Sequence, residues 1–135
     1  MSTNQLIIEH VSPFNVPVTV EKLKEVAKLK GWQNPAVHNL QQSLAKSGKE
    51  VLPVEVVEIC KPEYSGSMLE KNDERIVSVL MPCRISVYEK TDGNTYVALL
   101  DMSQLTDGMT QTATKAVQAA SDESFEIVKA VVGAF

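Results

Sequence analysis

Apolar residues fall along this chain in short, differently spaced runs, and the spacing predicts the elements. Leu6-Ile7-Ile8-Glu9 reads as a first strand, and Ser12 to Pro17, with two prolines, as a loop. Thr19 then has the chemistry of a helix N-cap. Beyond it Val20, Leu23, Val26 and Ala27 share one helical face, Glu21, Lys24, Glu25 and Lys28 take the others, and Gly31 supplies the stop. Trp32 to Val37 reads as extended, because Pro35 restrains the residue before it and the apolar positions show no helical period. Asn39 with Gln42 three residues on predicts the capped start of a second helix ended by Gly48, which places His38 just outside that start.

Val51 to Ile59 is rich in valine and isoleucine, with Glu55 and Glu58 on opposite faces of a central or near-central strand. Pro62 suits the first turn of a third helix running through Leu69, because the N–H it lacks has no partner there. Cys60 therefore ends a strand and precedes a helix. Two alternating runs, Arg84 to Glu89 and Thr95 to Leu100, flank Asp92-Gly93 and predict a β-hairpin. The remainder carries helical spacing at Ala113, Ala116, Val117 and Ala120, then at Ile127, Val128 and Val131. Ser121-Asp122-Glu123 could open a second helix there, so one kinked helix and two consecutive ones both stay open. The expected fold is α+β: helices packed on one mainly antiparallel sheet, residues 1–135 forming a single domain.

A length of 135 residues suits one core and is short for two. The 44% apolar and 22% charged content is that of a globular chain needing no metal or disulfide to fold. A net charge of −4, with 13 basic residues scattered among acids, offers no stripe for phosphates, so no nucleic-acid partner is expected. Met1-Ser2-Thr3-Asn4-Gln5 lacks a secretory start and no apolar run spans a bilayer, which predicts a cytoplasmic protein with no membrane partner.

Phosphate-binding glycine loops, H-E-x-x-H and G-x-S-x-G are all missing. Glu55, Glu58, Glu63 and Asp101 supply paired carboxylates only if folding brings two together in a cleft, and are otherwise read as solvated surface. The candidate chemistry lies in Cys60, Cys83 and His38. Cys60 has a lysine beside it and a helix start beyond it, both of which favour thiolate; its bland counterpart is a small apolar residue ending a strand. Cys83 opens the hairpin beside Arg84, although neighbours on a strand point to opposite faces. Antiparallel pairing of the two cysteine-bearing strands brings the thiols together, and parallel pairing separates them. His38 precedes a helix whose positive end leaves the imidazole neutral, able to take a metal or a proton, or simply to cap. Two thiolates and an imidazole form a coordination set for a soft metal ion. Met102, Met81 and His10 are weaker additions. The cysteines lack C-x-x-C spacing, so any metal site is an open one, and Cys60-Lys61-Pro62 also has the cysteine and nearby proline of thiolate haem-binding segments.

The run Val56-Val57-Glu58-Ile59-Cys60-Lys61-Pro62, then Met81-Pro82-Cys83-Arg84-Ile85-Ser86-Val87-Tyr88-Glu89 and Asp92-Gly93, resembles the cysteine-bearing branch of domain-of-unknown-function family 302. The likeness extends to Gly31-Trp32 and His38 and weakens over the last helices. It implies helices on one antiparallel sheet, a homodimer, and the same three residues, but no activity. Leu100-Asp101-Met102 departs from the Met-Asn that relatives place after the hairpin. Three functions follow as expectations. The first is a binding or sensor module holding a transition metal or haem through Cys60, Cys83 and His38. The second is a thiol-redox protein cycling a Cys60–Cys83 disulfide, and the third a dimeric interaction protein with structural cysteines.

Overall fold

The computed structural model describes residues 5–133; residues 1–4, read above as lacking a secretory start, lie outside that range. In chain order come β1 (Ile7–Ser12), α1 (Val16–Leu29), β2 (Val37–Asn39), α2 (Leu40–Ala45), β3 (Val54–Ile59), α3 (Pro62–Leu69), β4 (Cys83–Glu89), β5 (Thr95–Leu100) and α4 (Gln111–Val132). Short 3₁₀ segments cover Asp73–Leu80 and Met102–Leu105. The strands form one sheet in the order β1-β5-β4-β3-β2, and every pairing is antiparallel. No helix among the described residues is long and apolar enough to cross a membrane.

Strand alternation sets the core. Val57, Ile59, Ile85, Val87 and Val97 share one face and are at most 1% exposed, a burial worth roughly 1.5–3 kcal/mol per side chain. Against them lie Val16, Val20, Leu23 and Ala27 of α1 and Ile127, Val128 and Val131 of α4, all buried. The opposite face presents Val11, Tyr88, Tyr96 and His38, and there Ile7 and Val11 stay more than half exposed, at 56% and 53%.

The structure revises the expected start of α1. Asn15, not Thr19, is the cap: its side chain accepts from the Val18 N–H at 2.9 Å, and Pro17 falls in the first turn, where prolines are tolerated. The Thr19 hydroxyl is fully buried and engaged with Ser12 Oγ at 2.7 Å, so it tethers the end of β1 to the helix instead. The cap at Asn39 is as expected, accepting from the Gln42 N–H at 3.0 Å, and Gly93 takes the positive φ of +82° that the hairpin turn requires. The C-terminal region is one helix of 22 residues. Ser121-Asp122-Glu123 opens no new helix, and the Ser124 hydroxyl donates back to the Ala120 carbonyl at 2.8 Å, as a mid-helix serine does.

Ser121 is 1% exposed on the inner face of α4, and its hydroxyl has no hydrogen-bond partner. A buried hydroxyl without a partner costs more than it contributes, and alanine is the better helix former. Ser121→Ala is therefore expected to raise the unfolding free energy by about 1 kcal/mol in urea denaturation.

Candidate functional site: a cavity lined by sulfur

Antiparallel pairing of β3 with β4 sets Ile59 directly across from Cys83, so Cys60, the next residue, lies beside the start of β4. The main chain of Cys60 is fixed by both hydrogen bonds of a bridge to Gln33, at 2.9 and 2.7 Å. That bridge also draws Trp32 to the same place. The Cys60 and Cys83 side chains line one cavity of about 40 Å³, together with Trp32, Tyr64, Met68 and Met81. Four of the lining residues, Cys60, Cys83, Met68 and Met81, bear sulfur. Met102, buried in the turn after β5, approaches Cys83 from another side, its Sδ 3.9 Å from Cys83 Sγ.

The thiols are free and half-buried. Cys60 Sγ lies 3.6 Å from Ser65 Oγ in the first turns of α3. Burial, reinforced by the neighbouring Cys60, pushes the Cys83 thiol up to about 11, against a smaller opposing effect from Ser124. The sign of the linkage follows. In the unfolded chain the thiol titrates near 9.0, and in the folded protein near 11, so folding tightens proton binding. The stability this supplies is complete below pH 9 and is lost as the pH rises through 11, up to about 3 kcal/mol. Urea midpoints measured across that range are expected to fall more steeply for the wild type than for Cys83→Ala.

Next to the cavity a single carboxylate gathers three donors. Glu123 of α4 accepts from Lys61 Nζ at 2.8 Å, from Trp32 Nε1 at 3.0 Å and from the Tyr64 hydroxyl. Burial pushes the Glu123 carboxyl up, but the three donors together hold it below its ordinary range. The same contact pushes Tyr64 up to about 12. Lys61 was expected to act on the Cys60 thiolate; its ammonium is instead engaged by Glu123 and by the Lys30 carbonyl at 3.3 Å. Glu123 thus ties α4, α3 and the Trp32 turn together around the two cysteines.

His38 is not brought into this site. It sits on β2 opposite Val56, on the sheet face turned away from the helices, whereas Cys83 pairs with Ile59 on the covered face. Its Nε2 lies 2.8 Å from Glu58 Oε2, and its side chain is 50% exposed. Among the described residues no group of three or more His, Cys, Asp or Glu is placed to hold a metal ion. The expected set of two thiolates and an imidazole is corrected accordingly: the sheet that unites the cysteines puts His38 on its other side. The cavity of about 40 Å³ is small beside the roughly 300 Å³ and more of pockets for small organic ligands such as haem. His10 lies on β1 opposite Val97, at the far side of the sheet from β3.

Trp32, Tyr64, Met68 and Glu123 were not picked out as site residues. For Glu123 a signal was present: it stands three residues after Ala120 and four before Ile127, a charged residue on the apolar stripe of the helix.

Fold and site together define a small α+β domain with one helix-covered antiparallel sheet and a pair of free cysteines at the ends of adjacent strands. The chain belongs to the family described as domain of unknown function DUF302, whose profile matches residues 8–131. It is similar in fold to an uncharacterized conserved DUF302 protein from Bacillus stearothermophilus, at 18% sequence identity and a TM-score of 0.83, over 94% of this chain and 98% of that one. No curated protein matches it.

Proposed function

We propose that the protein is a binding module for a soft metal ion held by sulfur alone, with Cys60 and Cys83 as thiolates and Met81, Met68 or Met102 as thioether partners. The observation that carries this is the convergence of four sulfur-bearing side chains on one cavity of about 40 Å³, with a fifth sulfur 3.9 Å from Cys83. Thiolate and thioether ligands suit soft ions, of which Cu(I) is the one proposed, and a site without imidazole or carboxylate disfavours harder ones. Binding displaces the Cys83 proton, so the raised thiol makes affinity strongly dependent on pH. Metal analysis of anaerobically purified protein beside a Cys60→Ala/Cys83→Ala variant tests it. Copper near one equivalent in the wild type and lost in the variant supports the proposal; equal trace metal in both argues against it.

A thiol-redox function is the second reading, favoured by the placement of Cys60 next to the residue paired with Cys83. Each cycle would form one S–S bond, releasing two protons and passing two electrons to a disulfide oxidant. The high Cys83 value counts against it, because the thiolate is the attacking species. Homodimer formation belongs to the same set of proposals: the sheet face bearing Ile7 and Val11 is the surface that would meet its twin, and light scattering decides it.

A further inference from the structure

Met81, Pro82 and Cys83 form a wall shared by the sulfur-lined cavity and a second one of about 120 Å³. The residues around the first, inner cavity are all buried or half-buried. The second, outer cavity is larger and has Val79, 83% exposed, in its lining. Sulfur is divided between the two. Cys60 and Met68 line the inner cavity, Met102 the outer one, and Met81 and Cys83 line both.

The Cys83 sulfur is met from each side. Its thiol donates to Met102 Sδ at 3.9 Å, and Ser124, also in the outer lining, lies close enough to act on it. From the inner side it is within electrostatic reach of the Cys60 thiol. Asp101 fixes the turn that carries Met102, its carboxylate accepting from the Ser103 N–H at 3.3 Å. The spacing of Cys83 and Met102 suits a metal ion. Two sulfurs 3.9 Å apart subtend about 115° at an ion bonded to each at about 2.3 Å, the length of a zinc–thiolate bond. That angle is close to trigonal, and thiolate with thioether is a donor pair for a soft ion.

We propose that Met102 and Cys83, with Met81 beside them, form an outer station through which Cu(I) is loaded into the inner site of Cys60, Cys83 and Met68. This rests on the sulfur-site reading above and deepens it. Each step exchanges ligands and leaves the copper as Cu(I). The arriving ion gives up a ligand of its carrier and bonds Met102 Sδ and Cys83 Sγ, and the thiol proton that Cys83 directs at Met102 passes to solvent. The bond to Met102 then breaks as one to Cys60 Sγ forms, and the Cys60 proton passes to solvent in turn. Cys83 keeps hold of the ion throughout, because it is the cysteine that both cavities share.

The test mixes reduced, metal-free, full-length protein anaerobically with Cu(I) as its acetonitrile complex. Quenching of Trp32 reports arrival, since Trp32 lines the inner cavity and not the outer. Met102→Leu conserves volume, a change that cores tolerate. It is expected to slow loading by about tenfold or more, and to leave equilibrium affinity, measured by competition with a chromogenic Cu(I) chelator, at the wild-type value. In Cys60→Ala the ion has the outer station alone, and there Met102→Leu is expected to weaken binding by at least the roughly tenfold that losing a mere support of a ligand costs. Wild-type loading rates in Met102→Leu would mean direct entry to the inner cavity, overturning the inference and leaving the sulfur site standing. An affinity loss of equal size with and without Cys60 would make Met102 a ligand of the inner site and overturn it too. A wild-type protein that takes up no Cu(I) would sink the sulfur site and the inference together.

Discussion

Replacing Trp32 with alanine is expected to lower the unfolding free energy by about 3–5 kcal/mol, a large share of the roughly 5–15 kcal/mol that holds a domain folded. Trp32 is 4% exposed, packs edge-on against Tyr64 with ring centroids 6.2 Å apart, and donates to Glu123 at 3.0 Å. Its removal opens a void beside Cys60 and takes one of three donors from a carboxylate whose burial they offset. Trp32→Phe keeps most of the apolar contact and loses only the indole N–H, so its cost is expected near 1–2 kcal/mol. Urea denaturation of the two variants separates packing from hydrogen bonding. Near-equal losses would mean that the Glu123 contact, and not packing, is what Trp32 contributes.

The second large effect concerns metal. Cys83→Ser is expected to weaken Cu(I) binding by more than the roughly 10–100-fold that changes outside the ligand shell cause, while His38→Ala leaves it unchanged. The contrast follows from the sheet, which puts Cys83 on the covered face and His38 on the other. The chain's single tryptophan lines the cavity, so quenching of its emission reports binding directly. Because the Cys83 thiol, pushed up to about 11, loses its proton on binding, it contributes about tenfold per pH unit to the rise in wild-type affinity from neutrality toward that value, and Cys83→Ser loses that contribution. Loss of binding in His38→Ala would place the metal elsewhere.

How much of this was legible in the sequence depends on whether the deciding interaction is local. Pro62, Asn39 with Gln42, and Asp92-Gly93 set the start of α3, the start of α2 and the hairpin turn within a few residues of themselves, and those elements fall where the pattern puts them. Asparagine and threonine are both residue types that suit a cap, and Asn15 serves while the Thr19 hydroxyl is engaged across the fold by Ser12. Ser121-Asp122-Glu123 has the composition of a helix start, yet Glu123 is needed inside a continuous α4 to meet Lys61 and Trp32, 62 and 91 residues away in sequence. The nearness of Cys60 and Cys83 followed from antiparallel pairing, the one condition their proximity required. The exclusion of His38 hung on which residue β2 sets against β3, and a shift of one position would have turned it to the other face.

Copper-edge X-ray absorption on the Cu(I)-loaded, reduced protein tests the sulfur-only site most directly. Sulfur neighbours alone are expected, from Cys60, Cys83 and at least one methionine. Nitrogen scattering with the outer-shell pattern of an imidazole, or copper that fails to remain bound after desalting, would contradict it.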